Sequence, residues 1–536
     1  MKNNIIRQNY YKLLQRKPDI IKILLSIVFI VHIFLPLTTM LVRIDKASVY
    51  SVFNSSNFTN ALVNSITASL IATFISVVLA YFLALCIERV QIRFKNLFVT
   101  LFTIPMLIPS ISHGMGLVFL LGNNGIITNL LNLNFDIYGL WGIVAGSVLY
   151  SYPVAFLMFY DVMKYENGTP YEAAEVLGIP KLHRFMKISL PYLKKPLISI
   201  IFSTFTLIIT DYGVPLMIGG KYTTIPVIMY QEVIGQLNFS KGAVYGLILI
   251  VPAIIAFIID LFAKDKDGRS FINKPIAKST NKAAKISSYT FCVIITLLTL
   301  LPVVSFAVTA FTKSYPYDLT LSLQNLEKAT NMRVWQYMLN SIIVAFAVGL
   351  IGTFISFWTA YMSARMKTPV SRFLHLSVIT TAAIPGIVLG LAYVLTFRTT
   401  FIYGTFAILI LVNTVHFVSS PYLMMYNYLS KANENLENVG HTLGISRFHM
   451  IRSVFIPMCK STLIEMFSYF FVNSMMTISA VSFLATAMNK PLSLMISQFD
   501  SQMQIGAAAV VSLLILAINL FVKFVLSLIK KYCFNN

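Results

Sequence analysis

Long apolar runs separated by short polar segments dominate the chain. Twelve of these runs are long enough to cross a bilayer core of about 30 Å as helices, which takes about 20 residues each. The sequence therefore predicts an all-α polytopic membrane protein with about twelve transmembrane helices. The runs cover residues 20–42, 60–87, 97–121, 137–163, 196–218, 242–263, 288–312, 336–363, 374–397, 403–428, 459–487 and 506–529.

A polar segment in the middle of the chain, residues 264–287, separates two groups of six runs. It mixes charged residues with one Gly and one Pro, as linkers do. We therefore predict a first six-span repeat at 1–263, a cytoplasmic linker at 264–287 and a second repeat at 288–536. Short matches support the repeat: Asn64-Ser65-Ile66 recurs as Asn340-Ser341-Ile342, and Pro109 as Pro385. Because each half has an even number of spans, the repeats are expected to be parallel.

Composition and charge agree with this class. Mean hydropathy is +0.77 and charged residues make up 11% of the chain, against about 25% in soluble domains. The net charge of +22 does not indicate a nucleic-acid partner, because 31 of the 41 Lys and Arg residues fall in the seven predicted inner segments and nine in the outer loops. This asymmetry is the positive-inside rule. It predicts a multi-pass membrane protein with the N- and C-termini in the cytoplasm.

Cysteine and histidine give no sign of a metal site. The four cysteines have no C-x-x-C spacing and the seven histidines form no ligand motif. We therefore expect neither a metal nor a disulfide framework on this chain.

A polar loop occurs once in each half, at 164–195 and 430–458. The first copy contains Glu172-Ala173-Ala174, then Gly178, then Ile188-Ser189-Leu190-Pro191. The second contains Glu437-Asn438-Val439, then Gly444, then Val454-Phe455-Ile456-Pro457. In both copies Gly lies 13 residues before Pro, and the copies are offset by 266 residues. This shared spacing predicts a docking element that is used twice.

The residues of the first copy predict a short helix lying across the inner face of the membrane. Thr169-Pro170-Tyr171-Glu172 has the pattern of a capping box with Pro at the first helical position, so the helix is expected to begin at residue 170. Gly178 should then end it. In the second copy, Asn435 and Gly444 stand where the helix would begin and end.

The pattern Glu-Ala-Ala, three residues, Gly, nine residues, Ile-x-Leu-Pro resembles the signature loop of permease subunits in binding-protein-dependent ABC importers. The first copy fits at every defined position. The second departs, with Asn438-Val439-Gly440 in place of Glu-Ala-Ala and Glu437 one position earlier. The fused arrangement of twice six spans resembles the ferric-iron, thiamine and 2-aminoethylphosphonate branch, in which one chain supplies both transmembrane halves.

This resemblance implies a transport subunit of the bacterial cytoplasmic membrane rather than an enzyme. Two ABC ATPase subunits would bind the two loops through Glu172, Ala173, Ala174, Gly178 and Pro191, and through Glu437, Gly444 and Pro457. An extracytoplasmic solute-binding protein would deliver the substrate. ATP and Mg²⁺ would be held by the ATPase, since no Walker sequence occurs here.

Four residues are candidates for the transport pathway. Asp211 is an ionisable residue close to a span, which is a functional hypothesis by default, and Tyr212 follows it. The alternative for Asp211 is a helix cap before Gly213. Ser474 and Thr477 lie in a polar stretch of small residues in the second half, which suits either a cavity lining or a close helix contact.

The substrate is less defined by the sequence. Residues 211–215, 218–222, 231–236 and 239–243 are similar to the 2-aminoethylphosphonate branch, so the sequence favours that solute or ferric iron. Thiamine or a polyamine is the alternative. A twelve-span secondary transporter would not need two matched loops, and no nucleophile and base at helical spacing indicate an intramembrane enzyme.

Overall fold

The structure, a computed structural model, describes residues 19–132, 135–263, 274–433 and 435–534. The first half contains six long helices, in which α3 consists of two segments. They are α1 (Ile20–Val42), α2 (Ser56–Arg89), α3 (Lys95–Leu107 and Ser110–Leu121), α4 (Leu140–Lys164), α5 (Lys181–Ile209) and α6 (Phe239–Ala263).

The second half repeats this order, and three of its six helices consist of two segments. They are α7 (Lys282–Phe311), α8 (Val334–Ala364), α9 (Pro369–Ala383 and Gly386–Phe397), α10 (Phe406–Phe417 and Ser419–Lys431), α11 (Arg447–Met458 and Lys460–Met476) and α12 (Ile505–Phe534). A small antiparallel pair of strands, β1 (Thr312–Ser314) and β2 (Asp318–Leu321), follows α7.

Short helices join the long ones at similar places in the two halves. They are Lys46–Phe53, Ile126–Leu130, Thr169–Val176, Gly213–Ile218 and Ile225–Gly235 in the first half, and Gln324–Asn331, Leu436–Thr442 and Leu494–Ser501 in the second. We call Thr169–Val176 the first loop helix and Leu436–Thr442 the second loop helix.

The predicted all-α fold of two six-helix repeats is confirmed, but several spans are not straight. Among the described residues, eight helices are long and apolar enough to cross a membrane unbroken, and four bent pairs bring the number to twelve. The bends are 98° in α3, 111° in α9, 52° in α10 and 77° in α11. Pro109 and Pro385 stand at the two sharpest bends, where proline supplies no N–H to continue a helix.

Two predicted spans end earlier than expected. The run 196–218 was expected to be continuous, but α5 ends at Ile209, and the run 459–487 ends as a helix at Met476. In both places the chain then turns into shorter segments. Hydropathy alone does not show these breaks, because the residues after Gly213 and after Thr477 are again largely apolar and prolong each run.

Equivalent contacts in the two halves support the repeat. The Asn64 side-chain amide donates to the Thr223 carbonyl over 3.0 Å, and the Asn340 amide donates to the Met488 carbonyl over 3.0 Å. The neighbouring serines behave alike. The Ser65 hydroxyl accepts from the Ile225 N–H at 2.8 Å, and the Ser341 hydroxyl accepts from the Leu492 N–H at 2.6 Å.

The described end of the linker crosses the first half. We call residues 274–281 the strap. The Gly168 N–H donates to the Lys274 carbonyl at 2.7 Å, and the Ser279 N–H donates to the Arg89 carbonyl at 2.8 Å. The strap therefore ties the first loop to the inner end of α2, and α7 begins directly after it at Lys282.

Candidate functional site

The first loop helix begins differently from the prediction. Gly168 precedes it and no side chain caps it, while the Thr169 N–H donates to the Asn167 side-chain oxygen at 3.1 Å. The predicted capping box of Thr169 and Glu172 is therefore wrong. Glu172 instead accepts a bond of 2.7 Å from Lys274 of the strap, and both side chains are about half exposed. Because Lys274 is 102 residues from Glu172 in sequence, the pattern of neighbouring residues could not predict this partner.

Both loop helices end in the same turn. Gly178 has φ +69° and Gly444 has φ +70°. The Ile179 N–H donates to the Ala174 carbonyl at 2.9 Å, and the Ile445 N–H donates to the Gly440 carbonyl at 2.9 Å. This bond closes a left-handed helix stop, in which glycine avoids the strain of a β-carbon. Each of these three positions in the first loop is offset by 266 residues from its counterpart in the second.

Each turn leads into a helix that reaches the membrane. α5 and α11 each contain a wide π-turn, at Phe185–Ser189 and Ile451–Phe455. Pro191 and Pro457 follow two residues later. A proline ring clashes with the carbonyl four residues before it, and a π-turn relieves such crowding. α5 is continuous through Pro191, whereas α11 bends at Cys459.

Apolar side chains on both loops are exposed at matching positions. They are Leu177 and Leu182 in the first loop, each 75% exposed, and Leu443 and Phe448 in the second, at 69% and 67%. Ala173 is exposed, whereas Ala174 and its counterpart Gly440 are buried. The small residues thus face the protein while large apolar ones face outward, which is unusual for a polar loop.

The acidic residues of the two loops lie in different surroundings. Glu172 is exposed towards Lys274, whereas Glu437 points inward and accepts a bond of 2.7 Å from Arg365 at the end of α8. In the first half, a related ion pair joins Arg89 to Glu166, before the loop helix. Burial raises the pKa of the Glu166 carboxyl, and hydrogen bonds and charge from Tyr171 and Arg89 oppose that rise.

The pathway candidates lie where the halves meet. The carboxylate of Asp211 accepts from the Ser110 hydroxyl at 2.6 Å and from the Val214 N–H at 3.0 Å. It therefore caps the short helix Gly213–Ile218, while a pathway role for Asp211 stays a prediction. Tyr212 lies beside it and shares a 2.5 Å hydrogen bond with Ser482 of the second half.

An aromatic stack surrounds this contact. Tyr212 stacks on Tyr230 with ring centres 5.0 Å apart, and Tyr230 stacks on Phe483 at 6.2 Å. Tyr212 itself is buried. The first and second halves are thus joined by an aromatic layer shortly after the C-terminal ends of α5 and α11.

Ser474 and Thr477 approach the same region from α11. Ser474 is buried, and its hydroxyl has no hydrogen-bond partner among the described residues. The Thr477 carbonyl accepts from the Ser493 hydroxyl at 2.7 Å. Ile478, next to Thr477, lies against Gly213. Within the described part of the chain, no three His, Cys, Asp or Glu residues are grouped as metal ligands would be.

Several residues at these sites were not expected from the sequence. They are Ser110, Tyr230, Ser482, Phe483, Arg89, Arg365, Glu166 and Lys274. Only the arginines carried a usable signal, because their offset of 276 equals that of Asn64 and Asn340. The others are common residue types brought together by tertiary contacts alone.

Comparison with known proteins identifies the family. Residues 76–264 and 360–531, about two thirds of the chain, match the family described as binding-protein-dependent transport system inner membrane component. The chain is 23% identical to the putative ferric transport system permease protein FbpB 1 of Haemophilus influenzae, over 89% of this chain and 79% of that protein. It is also 23% identical to the ferric transport system permease protein FbpB of Actinobacillus pleuropneumoniae, over 89% and 73%.

A more partial similarity extends to thiamine permeases. The thiamine transport system permease protein ThiP of Brucella suis is 23% identical over 53% of this chain and 52% of that protein. A bacterial alginate ABC transporter structure with its periplasmic protein covers 49% of this chain and 94% of its own, at 17% identity and a TM-score of 0.37, which is too low to carry an argument. The family match falls once in each half, as the two loops do. The chain belongs to the binding-protein-dependent inner membrane transport components, as a fused permease with two family domains in one multi-pass membrane chain.

Proposed function

We propose that this chain is the transmembrane subunit of an ATP-driven importer, and that each loop helix binds one ATPase subunit on the cytoplasmic side. The observation that carries the proposal is the matched pair of exposed apolar surfaces at Leu177 and Leu182 and at Leu443 and Phe448. Large apolar side chains exposed on a polar loop mark protein interaction sites. Two copies on one chain suit two copies of one partner.

The geometry suggests how movement reaches the membrane. Each loop helix is separated by one tight turn from α5 or α11, and these helices end beside the aromatic layer between the halves. Closure of the ATPase pair on ATP and Mg²⁺ would draw the loop helices together and displace the inner ends of α5 and α11. The outer ends would then separate at Tyr212 and Ser482 to open the pathway, to which a binding protein delivers the solute.

The relatives favour ferric iron as the substrate. The matches to ferric permeases extend over 89% of this chain, whereas the thiamine permease of Brucella suis matches over 53%. Thiamine is therefore the second candidate. Neither group of relatives supports 2-aminoethylphosphonate, which rests only on the similarity of the outer segment that begins at residue 211. Asp211 would give a cationic solute an acceptor near the outer end of the pathway.

Uptake in a deletion strain tests the substrate. Loss of this gene should abolish accumulation of radiolabelled ferric iron, and the cloned gene should restore it. Growth on 2-aminoethylphosphonate as sole phosphorus source should be unchanged. Loss of phosphonate or thiamine uptake with normal iron uptake would overturn the iron assignment while leaving the permease function in place.

Purified components test the permease function itself. The chain should copurify with two copies of an ABC ATPase subunit, and a double substitution of Leu177 and Leu443 by Asp should release them. A complex that forms unchanged in that variant would contradict the assignment of the loops as the docking sites.

A further inference from the structure

Two arginines occupy equivalent positions at the inner ends of α2 and α8. Arg89 is the last residue of α2, and Arg365 directly follows α8. Their offset of 276 is the offset of Asn64 and Asn340, which make equivalent contacts earlier in the same helices. The two arginines are therefore structural counterparts.

Arg365 joins four elements of the second half. Its guanidinium donates to Glu437 of the second loop helix at 2.7 Å, to the Ala432 carbonyl after α10 at 2.8 Å and to the Asn433 carbonyl at 2.7 Å. It also lies over the ring of Phe455 in the π-turn of α11, 5.6 Å from the ring centre. Only 4% of the side chain is exposed, so these contacts are shielded from water and strong.

Arg89 makes the same connections through a relay. It pairs with Glu166 and donates to the Met163 carbonyl of α4 at 3.4 Å. Glu166 accepts from the Tyr171 hydroxyl of the first loop helix, and that hydroxyl lies 2.7 Å from the Ser189 hydroxyl in the π-turn of α5. The first half thus also connects α2, the end of α4, the loop helix and the π-turn.

The relay changes the alignment of the two loops. With the offset of 266, Tyr171 corresponds to Glu437 and Ser189 to Phe455, while Glu172 corresponds to Asn438. Tyr171 and Glu437 both point to the arginine, directly or through Glu166. Glu437 is thus the counterpart of Tyr171 and is not a displaced copy of Glu172.

We infer that Arg89 and Arg365 are positioning residues that fix each loop helix to α2 or α8, so that displacement of the loop by the ATPase moves these spans as well as α5 and α11. Glu437 belongs to this anchor, and the position of Glu172 is taken in the second loop by the neutral Asn438. The two ATPase contacts therefore differ chemically, with a carboxylate on one side and an amide on the other. This inference rests on the proposed function.

Transport coupling in the whole reconstituted complex tests the anchor. The chain, the ATPase and the binding protein are placed in proteoliposomes, and solute uptake per ATP hydrolysed is measured for Arg365→Gln and Glu437→Gln. Each variant should lower this ratio about tenfold, the factor expected for losing a charge-assisted hydrogen bond. The double variant should be no worse than Arg365→Gln alone, because that substitution already removes the bond to Glu437.

Matched variants separate anchoring from general damage. Glu465→Gln breaks the more exposed pair with Lys530 at the inner end of α11 and should leave coupling unchanged. Glu437→Asp keeps the charge and should recover part of the loss.

Hydrogen exchange provides a readout for a variant that assembles poorly. In the complex, Glu437→Gln should speed amide exchange in residues 436–442 while α8 stays protected, because the loop is released locally. Unchanged coupling and exchange in both Arg365→Gln and Glu437→Gln would overturn the anchor. A wild-type chain that binds no ATPase would instead refute the proposed function. Failure of the anchor and failure of the proposed function are therefore distinguishable.

Discussion

Replacing Gly178 with Val isolates the turn that ends the first loop helix. The residue has φ +69°, and no atom of the described residues lies within 4 Å of the position that a β-carbon would take. A β-carbon therefore meets none of these atoms, and we attribute the cost of the substitution to backbone strain. That strain is about 1–2 kcal/mol for an ordinary residue in the left-handed region and about 2–3 kcal/mol for a β-branched one.

The backbone strain lowers the fraction of molecules in which the loop adopts the native turn. Since each 1.4 kcal/mol is a factor of about ten, the population of the native turn in Gly178→Val should be lower by a factor of about 30 to 140. Gly178→Ala should lose about tenfold, and Gly178→Asn should lose least, because Asn tolerates this conformation. Gly444, with φ +70° and equally open surroundings, should follow the same order.

The assay is ATPase activity in proteoliposomes, stimulated by the substrate-loaded binding protein and normalised to the amount of permease in the membrane. Activity should fall in the order Gly, Asn, Ala, Val, with the amount of protein constant. A Val variant that is as active as wild type, or an Asn variant as poor as Val, would refute the argument from backbone strain.

Three further substitutions test other parts of the molecule. Glu172→Ala should weaken ATPase binding measured by titration. Glu437→Ala should instead lower thermal stability by about 1–3 kcal/mol, because it leaves the buried Arg365 without its carboxylate partner. Equal effects of the two substitutions in both assays would mean that the loops are equivalent. Asp211→Asn keeps an acceptor for Ser110 and should reduce solute uptake more than assembly, so normal uptake would remove Asp211 from the pathway. Gly352→Ala should destabilise the fold by about 1–3 kcal/mol in a thermal melt, because its β-carbon would lie 2.7 Å from the Phe470 ring; an unchanged melting temperature would contradict that packing.

The sequence was informative where the physical signal is local. Apolar length predicted the spans, and a glycine at the same offset in two loops predicted the stops at Gly178 and Gly444. Both features depend on a few neighbouring residues, so they can be read along the chain. The structural counterparts at Asn64 and Asn340 were found for the same reason.

The chemistry at the loops depended on partners that are distant in sequence. Glu172 was expected to close a capping box, but Lys274 lies nearby and takes its carboxylate. Glu437 was aligned with Glu172 because both are acidic, whereas the contacts place it with Tyr171. The hydropathy pattern did not show the break of α5 at Ile209, because residues 213–218, beyond Asp211, are again apolar and prolong the run.

The strap contacts the first half of the chain but is continuous with the second half, so the two halves would differ if they were expressed as separate chains. Its backbone completes the first loop at Gly168 and the end of α2 at Arg89, although it continues directly into α7 of the second half. A chain divided within residues 264–273 would leave this part on the C-terminal fragment, which could still dock it across the first half. A chain divided between Ser279 and Lys282 would keep it attached only to the N-terminal fragment. Two separate copies of the first half could therefore not replace the fused protein. Each copy would need its own strap, and the chain contains one strap, in the connection between the two halves.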